Sequence, residues 1–402
     1  MKGYAVICAV ALGTTFALTP VVRWLAIRFG AVVAPSADAR HVHTKPTPTL
    51  GGAAMFVGFL AAMAVASHMQ QFHDMFVDNS EPVGLLLGAG VMFVTGALDD
   101  LIEVSPPAKL AGQVLAASVL WWFGVVMYFF RVPFNLFHTG VVVLSPDLAP
   151  LVTALWVVLM TNAVNLIDGL DGLAAGIVAI AGGALFLFAD RLFKAGYLGG
   201  DNIAPLVAII AVGVCIGFLP FNWHREPGGA TIIMGDAGAL FLGVLLAVPT
   251  ITIGGRTDFA FSGNTYFFFA PLAIPVVILG VPILDVGFSF IRRLVKRQHW
   301  HQADAGHLHH RLMRLGHGQR RTVVMLWAWT ALLSAVALVP TYTKEGNAIV
   351  PFVAAGLALL LYAVFHPGTR TAREQQVRAA HPASGANSDG VVDLEERRRQ
   401  RA

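Results

Sequence analysis

Long apolar runs separated by short polar segments make up most of the chain. Crossing a bilayer takes about 20 apolar residues. Runs approaching that length cover about 4–27, 51–69, 83–98, 109–130, 149–166, 173–190, 204–221, 236–254, 265–290, 323–340 and 347–366. They predict an all-α, polytopic integral membrane protein with eleven transmembrane helices, the third and fifth extended by their polar ends. The first run continues to about Ile27 without a small-residue cleavage site, so it reads as a retained helix rather than a signal peptide. The pattern stops at Pro367. Beyond it lies a tail rich in Arg, Ala, Ser and Gly that ends E-E-R-R-R-Q-R-A, a composition expected to be disordered. The expected organisation is a membrane domain over 1–366 and a tail over 367–402, with no soluble domain and no internal repeat.

Composition agrees. Hydrophobic residues are 56% of the chain and charged residues 12%, with a mean hydropathy of +0.69. Soluble domains carry about 25% charged residues. Cys8 and Cys215 both sit in apolar runs and cannot form a disulfide framework. The placement of basic residues says more than the net charge of +4. With the N-terminus outside, 21 Lys and Arg fall on the inner side, tail included, and 6 on the outer side. The positive-inside rule favours that orientation, which puts the C-terminus inside. Ten spans would instead place the Arg-rich tail outside.

The polar segments with chemical character all fall on the predicted inner face. The most informative is N-A-V-N-L-I-D-G-L-D-G-L-A-A-G, Asn162–Gly176. An acid at the centre of a membrane helix costs roughly 2.5–3.5 kcal/mol on insertion scales, so acids at a membrane edge usually serve a function. Asn162, Asn165, Asp168 and Asp171 step by three and share one face if the helix persists. Gly169 and Gly172 allow a turn or the close approach of a ligand. A single Asp-Gly pair would read as a capped helix end; two in tandem behind two asparagines argue for a site.

Other clusters join it. Arg40–Gly52 reads R-H-V-H-T-K-P-T-P-T-L-G-G, a basic, proline-punctuated loop in which Lys45 can meet a phosphate and His43 can assist. Asp99 and Asp100 end the third span. Adjacent residues on a helix point about 100° apart, so one acid can face a metal or phosphate while a lysine or backbone donor holds the other. Asp236, in M-G-D-A-G, starts the eighth span, where it suits a helix N-cap as well as a metal. Asp304–Gly316 carries His307, His309, His310, Arg311 and Arg314. Histidines with arginines suit phosphate better than zinc, because no cysteine ligands or zinc spacing accompany them. Asp285 is a further acid, structural or functional.

Acids alone would suggest cation transport. Acids with Lys, Arg and His suggest a magnesium-bound diphosphate meeting a membrane-bound acceptor. No G-x-x-x-x-G-K-[ST] or G-x-S-x-G element is present, which argues against a P-loop engine or a serine hydrolase of that kind.

The ordered motifs D-D, N-x-x-N-x-x-D-G-x-D-G-L, G-D-x-G and H-x-H-H, over about residues 35–320, resemble the polyprenyl-phosphate N-acetylhexosamine-1-phosphate transferases of glycosyltransferase family 4. The loop H-x-K-P-x-P-x-L-G-G and the late D-A-G-H-L-H-H-R-L resemble the undecaprenyl-phosphate N-acetylglucosaminyl-1-phosphate transferase branch. The peptidoglycan branch has three consecutive histidines in that late loop. Two positions depart from the family pattern. Ala239 replaces a usual Ser, and Thr231 replaces a basic residue that often precedes M-G-D.

The resemblance implies transfer of GlcNAc-1-phosphate from UDP-GlcNAc, or a related UDP-N-acetylhexosamine, to undecaprenyl phosphate. UMP would be released, as a first membrane step toward a cell-envelope polysaccharide. It implies a multi-pass protein of the bacterial inner membrane with a cytoplasmic site that uses Mg2+, or alternatively Mn2+. Asp236 is expected as the metal ligand, with Asp168 as a second. Asp99 is expected to orient or deprotonate the lipid phosphate, with Asp100 supporting it. Asn165, Asp168 and Asp171 are expected to hold the nucleotide, and Lys45, His43, His307, His309, His310 and Arg311 to bind substrate. Homodimers occur in the family, and no nucleic-acid partner is expected. The competing readings are a phospho-N-acetylmuramoyl-pentapeptide transferase and, in another class, a cation-coupled transporter.

Overall fold

The computed structural model of the protein describes residues 2–33, 46–131, 141–223, 229–254, 317–343 and 346–365, with the isolated positions 280, 283, 287, 312, 313 and 315. Helix α1 (Lys2–Phe29) leads into a short antiparallel pair, β1 (Val32–Val33) with β2 (Thr47–Pro48). Then come α2 (Gly52–Ser67), a 3-10 turn (Gln70–Phe72), α3 (His73–Val77), α4 (Glu81–Ile102) and α5 (Pro106–Trp122). A second antiparallel pair, β3 (Phe129–Arg131) with β4 (Val141–Val143), precedes α6 (Leu148–Ile167), α7 (Leu173–Lys194), α8 (Ala204–Asn222) and α9 (Gly235–Gly254). Helices α10 (Gln319–Thr343) and α11 (Val350–Phe365) follow.

The chain is therefore a mostly helical, polytopic membrane protein. Seven of the described helices are long and apolar enough to cross a bilayer, or eight if α2 and the helical segment after it are one span bent by 90°. The described residues thus carry seven or eight of the eleven expected spans. Of the expected ninth span, 265–290, only positions 280, 283 and 287 are described, and the tail from 367 lies outside the described residues. The expected second and fourth spans differ in detail. The second breaks after Ser67. The fourth begins earlier, at Pro106, where proline suits a first helical turn, and stops at Trp122 before Gly124 turns the chain with φ +96°. The two short strand pairs are the departure from an all-α fold.

Helix α9 forms the centre. It is apolar all round after its first turn and buried from Ala237 to Gly254, as a core helix should be. It packs against α2, α4, α6, α7 and α8, while α1 covers α2 and α8, and α10 covers α7. Membrane helices lack a hydrophobic drive toward one another, so small residues and close backbone contact hold them together. Gly52 of α2 lies against the Gly238 backbone, and Gly96 of α4 against the backbone of Asp236 and Ala237. A Cβ at either position would collide with backbone. These contacts bring the ends of α4 and α6 together with the starts of α2, α5, α7 and α9 at one end of the bundle.

Candidate active site

The two acids that end α4 have different partners. Asp100 accepts the backbone N–H of Asp236 at Oδ1 (2.8 Å) and that of Ala237 at Oδ2 (3.0 Å). It thereby caps α9 from another helix, satisfying N–H groups that have no partner within α9. Asp236 itself sits inside the first turn, so its expected N-cap role passes to Asp100. Gly235 enters this turn with φ +73°, and a side chain there would strike Asp100 and Thr49.

Asp99 faces the other way. Its Oδ1 accepts the Val104 N–H at 2.8 Å, which fastens the end of α4, and its Oδ2 accepts from Lys109 Nζ at 2.9 Å. Lys109 also pairs with Asp236 Oδ2, the oxygen that accepts from Asn165 Nδ2 at 3.1 Å. One ammonium from α5 thus bridges acids from α4 and α9, beside an amide from α6. Asp99, Lys109 and Asn165 border a cleft of about 370 Å³, whose other polar walls are Gln113 and Asn162 and whose apolar walls are Val104, Pro106, Leu110 and Leu166.

Helix α6 ends at Ile167, so the four residues spaced by three do not share a helix face. Asn162 Nδ2 donates to Gln113 Oε1 at 2.9 Å and braces α5 on α6, while Asn165 reaches Asp236. Asp168 terminates the helix. Asp171 lies in the following turn, where its Oδ2 accepts the Ala230 N–H at 3.0 Å. Gly172 turns the chain into α7 with φ +76°.

Burial holds the Asp168 carboxyl well above the usual carboxylate range, and the charges of Asp100 and Asp171 push the same way. The residue nevertheless retains some solvent exposure. No group of three or more His, Cys, Asp or Glu that could hold a metal is present among the described residues. Magnesium asks for less: it keeps several waters and binds through one or two carboxylates plus substrate phosphates. Asp168 and Asp236, both partly exposed, are oxygen donors of the kind such an ion takes.

The first loop reaches the same place. Ile233 N–H donates to the Pro48 carbonyl (2.9 Å), Gly51 N–H to the Ile233 carbonyl (3.0 Å) and Gly52 N–H to the Met234 carbonyl (2.9 Å). The P-T-P-T-L-G-G and M-G-D segments are therefore laid side by side. Thr231, at the position where a basic residue was expected, spends its hydroxyl on the Phe221 carbonyl (2.8 Å). A cation does come close, because Arg23 of α1 donates from Nε to the Thr231 carbonyl at 3.1 Å. Ala239 is fully buried within α9.

The structure brings together Asp99, Asp100, Asn165, Asp168, Asp171 and Asp236. His43, Lys45, Asp285, His307, His309, His310 and Arg311 lie outside the described residues. Lys109 and Gln113 were not among the residues expected at the site. Both carried a signal. A lysine in the first turn of a helix opposes the macrodipole, and a glutamine one turn later sits in an otherwise apolar stretch.

The chain is similar to known proteins over most of its length. Residues 82–254, which hold α4 through α9, match the glycosyl transferase family 4 model. The chain is 34% identical over 353 residues to the decaprenyl-phosphate N-acetylglucosaminephosphotransferase of Mycolicibacterium smegmatis, covering 86% of this chain and 84% of that one. It is 34% identical over 332 residues to a Bacillus subtilis protein named "Probable undecaprenyl-phosphate N-acetylglucosaminyl 1-phosphate transferase", covering 82% and 83%. To the phospho-N-acetylmuramoyl-pentapeptide-transferase of Clostridioides difficile it is 28% identical over 327 residues, covering 78% and 90%. Similarity over four-fifths of the length, together with acids converging from the helices that carry the family match, establishes that this chain belongs to glycosyl transferase family 4.

Proposed function

We propose that the protein transfers N-acetylglucosamine 1-phosphate from UDP-GlcNAc to a polyprenyl phosphate, undecaprenyl phosphate by the sequence reading, and releases UMP. The observation that carries this is Lys109, shared by Asp99 and Asp236 on the wall of a cleft that is part polar and part apolar. Such a cleft suits a phosphate headgroup on a hydrocarbon chain. Relatives named for N-acetylglucosamine phosphate transfer, at 34–35% identity, support the donor. Those named for the muramoyl-pentapeptide are 28–32% identical.

In this mechanism a lipid phosphate oxygen attacks the sugar-side phosphorus of the UDP-sugar. The new bond joins lipid phosphate to sugar phosphate, and the bridging oxygen leaves with UMP. Positioning and charge neutralisation dominate, since the protein forms no bond itself. Asp99 orients the incoming phosphate, Lys109 offsets its charge, and Asn165 keeps Asp236 aligned. Asp168 and Asp171 border the nucleotide. Bound Mg2+ would neutralise the diphosphate, with Asp236 and Asp168 as the residues to hold it. The membrane placement proposed is the bacterial inner membrane, with eleven spans by the apolar runs; the charge count supports an N-terminus outside and a C-terminus and site in the cytoplasm. Labelling of single cysteines placed in the loops from each side checks it.

The deciding experiment offers UDP-GlcNAc, UDP-GalNAc and UDP-muramoyl-pentapeptide to the purified protein with undecaprenyl phosphate. It scores UMP release and lipid product mass. GlcNAc-phosphate product, lost with EDTA and restored by magnesium, is expected; Asp236→Asn and Asp99→Asn should abolish it without preventing insertion. Product from the muramoyl donor alone would move the protein to the peptidoglycan reaction. Activity that survives chelation would remove the metal.

A further inference from the structure

The loop that delivers Asp236 is pinned by a residue outside the acid motifs. Asn222, the last residue of α8, is 3% exposed. Its Oδ1 accepts the Gly172 N–H at 2.8 Å and its Nδ2 donates to the Ile232 carbonyl at 3.2 Å. Gly172 closes the acid-bearing turn, and Ile232 leads into M-G-D. A buried amide thus has both of its ends engaged, one on each acid-bearing segment. Parallel ties reinforce it: Ala230 N–H to Asp171, and both the N–H and the hydroxyl of Thr231 to the Phe221 carbonyl. A Cβ at Gly172 would strike Trp223, so the turn cannot slide toward α8.

We infer that Asn222 is a positioning residue that holds the Asp168–Asp171 turn in register with Asp236, so that both segments meet one substrate. This rests on the transferase reading above. The molecule supplies its own control at the opposite end of the same helix. There Asn202 accepts the Ala204 N–H at 2.9 Å and donates to the Thr252 carbonyl at 3.2 Å, tying α8 to the far end of α9.

The experiment compares Asn222→Ala, Asn222→Asp and Asn202→Ala in the full-length protein. Melting temperature, UMP release and amide hydrogen exchange are followed. A displacement of about 1 Å at a reacting group can cost roughly 100-fold in rate. A fall of that order in kcat is expected for Asn222→Ala and not for Asn202→Ala, at comparable melting temperatures. Exchange should rise over 170–173 and 229–236 in Asn222→Ala alone. Protonated aspartic acid again offers one acceptor and one O–H donor. Turnover of Asn222→Asp relative to the native protein should therefore recover as pH falls, which a general loss of fold would not produce. Equal effects of the two alanine variants, or unchanged exchange in Asn222→Ala, would overturn the inference. A native protein that transfers no sugar phosphate from any donor would overturn the transferase reading instead, and the exchange data would still decide the role of Asn222.

Discussion

Asp100 accepts the backbone N–H of Asp236 at 2.8 Å, across 136 residues of chain. One member of an adjacent acid pair therefore sets the position of the acid that the site is built around. The other member, Asp99, faces Lys109 and the cleft. Two neighbours in sequence have separate tasks because a helix points them in different directions.

That division predicts different behaviour for the two acids. Removing a helix cap costs about 0.5–2 kcal/mol. Asp100→Ala should lower both melting temperature and activity, and Asp100→Asn, which keeps one acceptor oxygen, should lose less of each. Asp99→Asn should lose activity while melting close to the native protein. Thermal unfolding in detergent beside UMP release checks this, and an unchanged melting temperature in Asp100→Ala would remove the capping role.

Lys109 should be indispensable. Losing one preorganised donor or charge at a reacting centre costs about 100- to 1,000-fold in kcat. Lys109→Met should fall in that range. Lys109→Arg should recover only part of it, because a planar fork replaces a compact point charge that two carboxylates share. Initial rates at saturating donor and acceptor measure both.

Asp168 makes stability depend on pH in the metal-free protein. Folding raises its pKa, so the folded chain keeps a proton that the unfolded chain, with an aspartate pKa of about 3.9, has already lost. The unfolded state then binds fewer protons, and stability falls as pH rises from that value through the raised one. In EDTA, Asp168→Asn should flatten this part of the melting-temperature profile. A profile identical to the native one would dissociate the carboxyl from the effect.

Gly96→Ala should be far more damaging than its size suggests. The added methyl meets the backbone of Asp236 and Ala237, which cannot swing aside as a side chain can. Overpacking of this kind costs about 1–3 kcal/mol. Reduced yield of folded protein and lost activity are expected. Gly13→Ala, with nothing near the added methyl, should be silent in the same assays.

Much of this architecture is legible in one dimension. Hydropathy located the helix around Asp99 and Asp100, the helix end at Asp168 and the helix start at Asp236, and counting Lys and Arg grouped these acids on one predicted face. Local pattern could not show which groups meet. Lys109 counts as an ordinary loop cation until α5 is folded against α4 and α9. The same holds for Asp100, whose partners are backbone amides that no side-chain pattern announces. The spacing by three from Asn162 to Asp171 suggested one continuous face, but the chain leaves the helix after Ile167 and Asp171 turns to Ala230.

The buried course of α9 has a consequence for how the protein is made. Helices enter the membrane in the order of synthesis, amino-terminal segments first. Of the helices packed on α9, the five that precede it in the chain, α2, α4, α6, α7 and α8, are already synthesised when α9 emerges. They must leave a slot for it, lined where Gly52 and Gly96 stand. Asp99 and Lys109 wait in that unfinished assembly without Asp236. A nascent chain halted before residue 235 holds the helices that surround α9 and lacks the acid they converge on, so the centre of the site is among the later parts of the bundle to be completed.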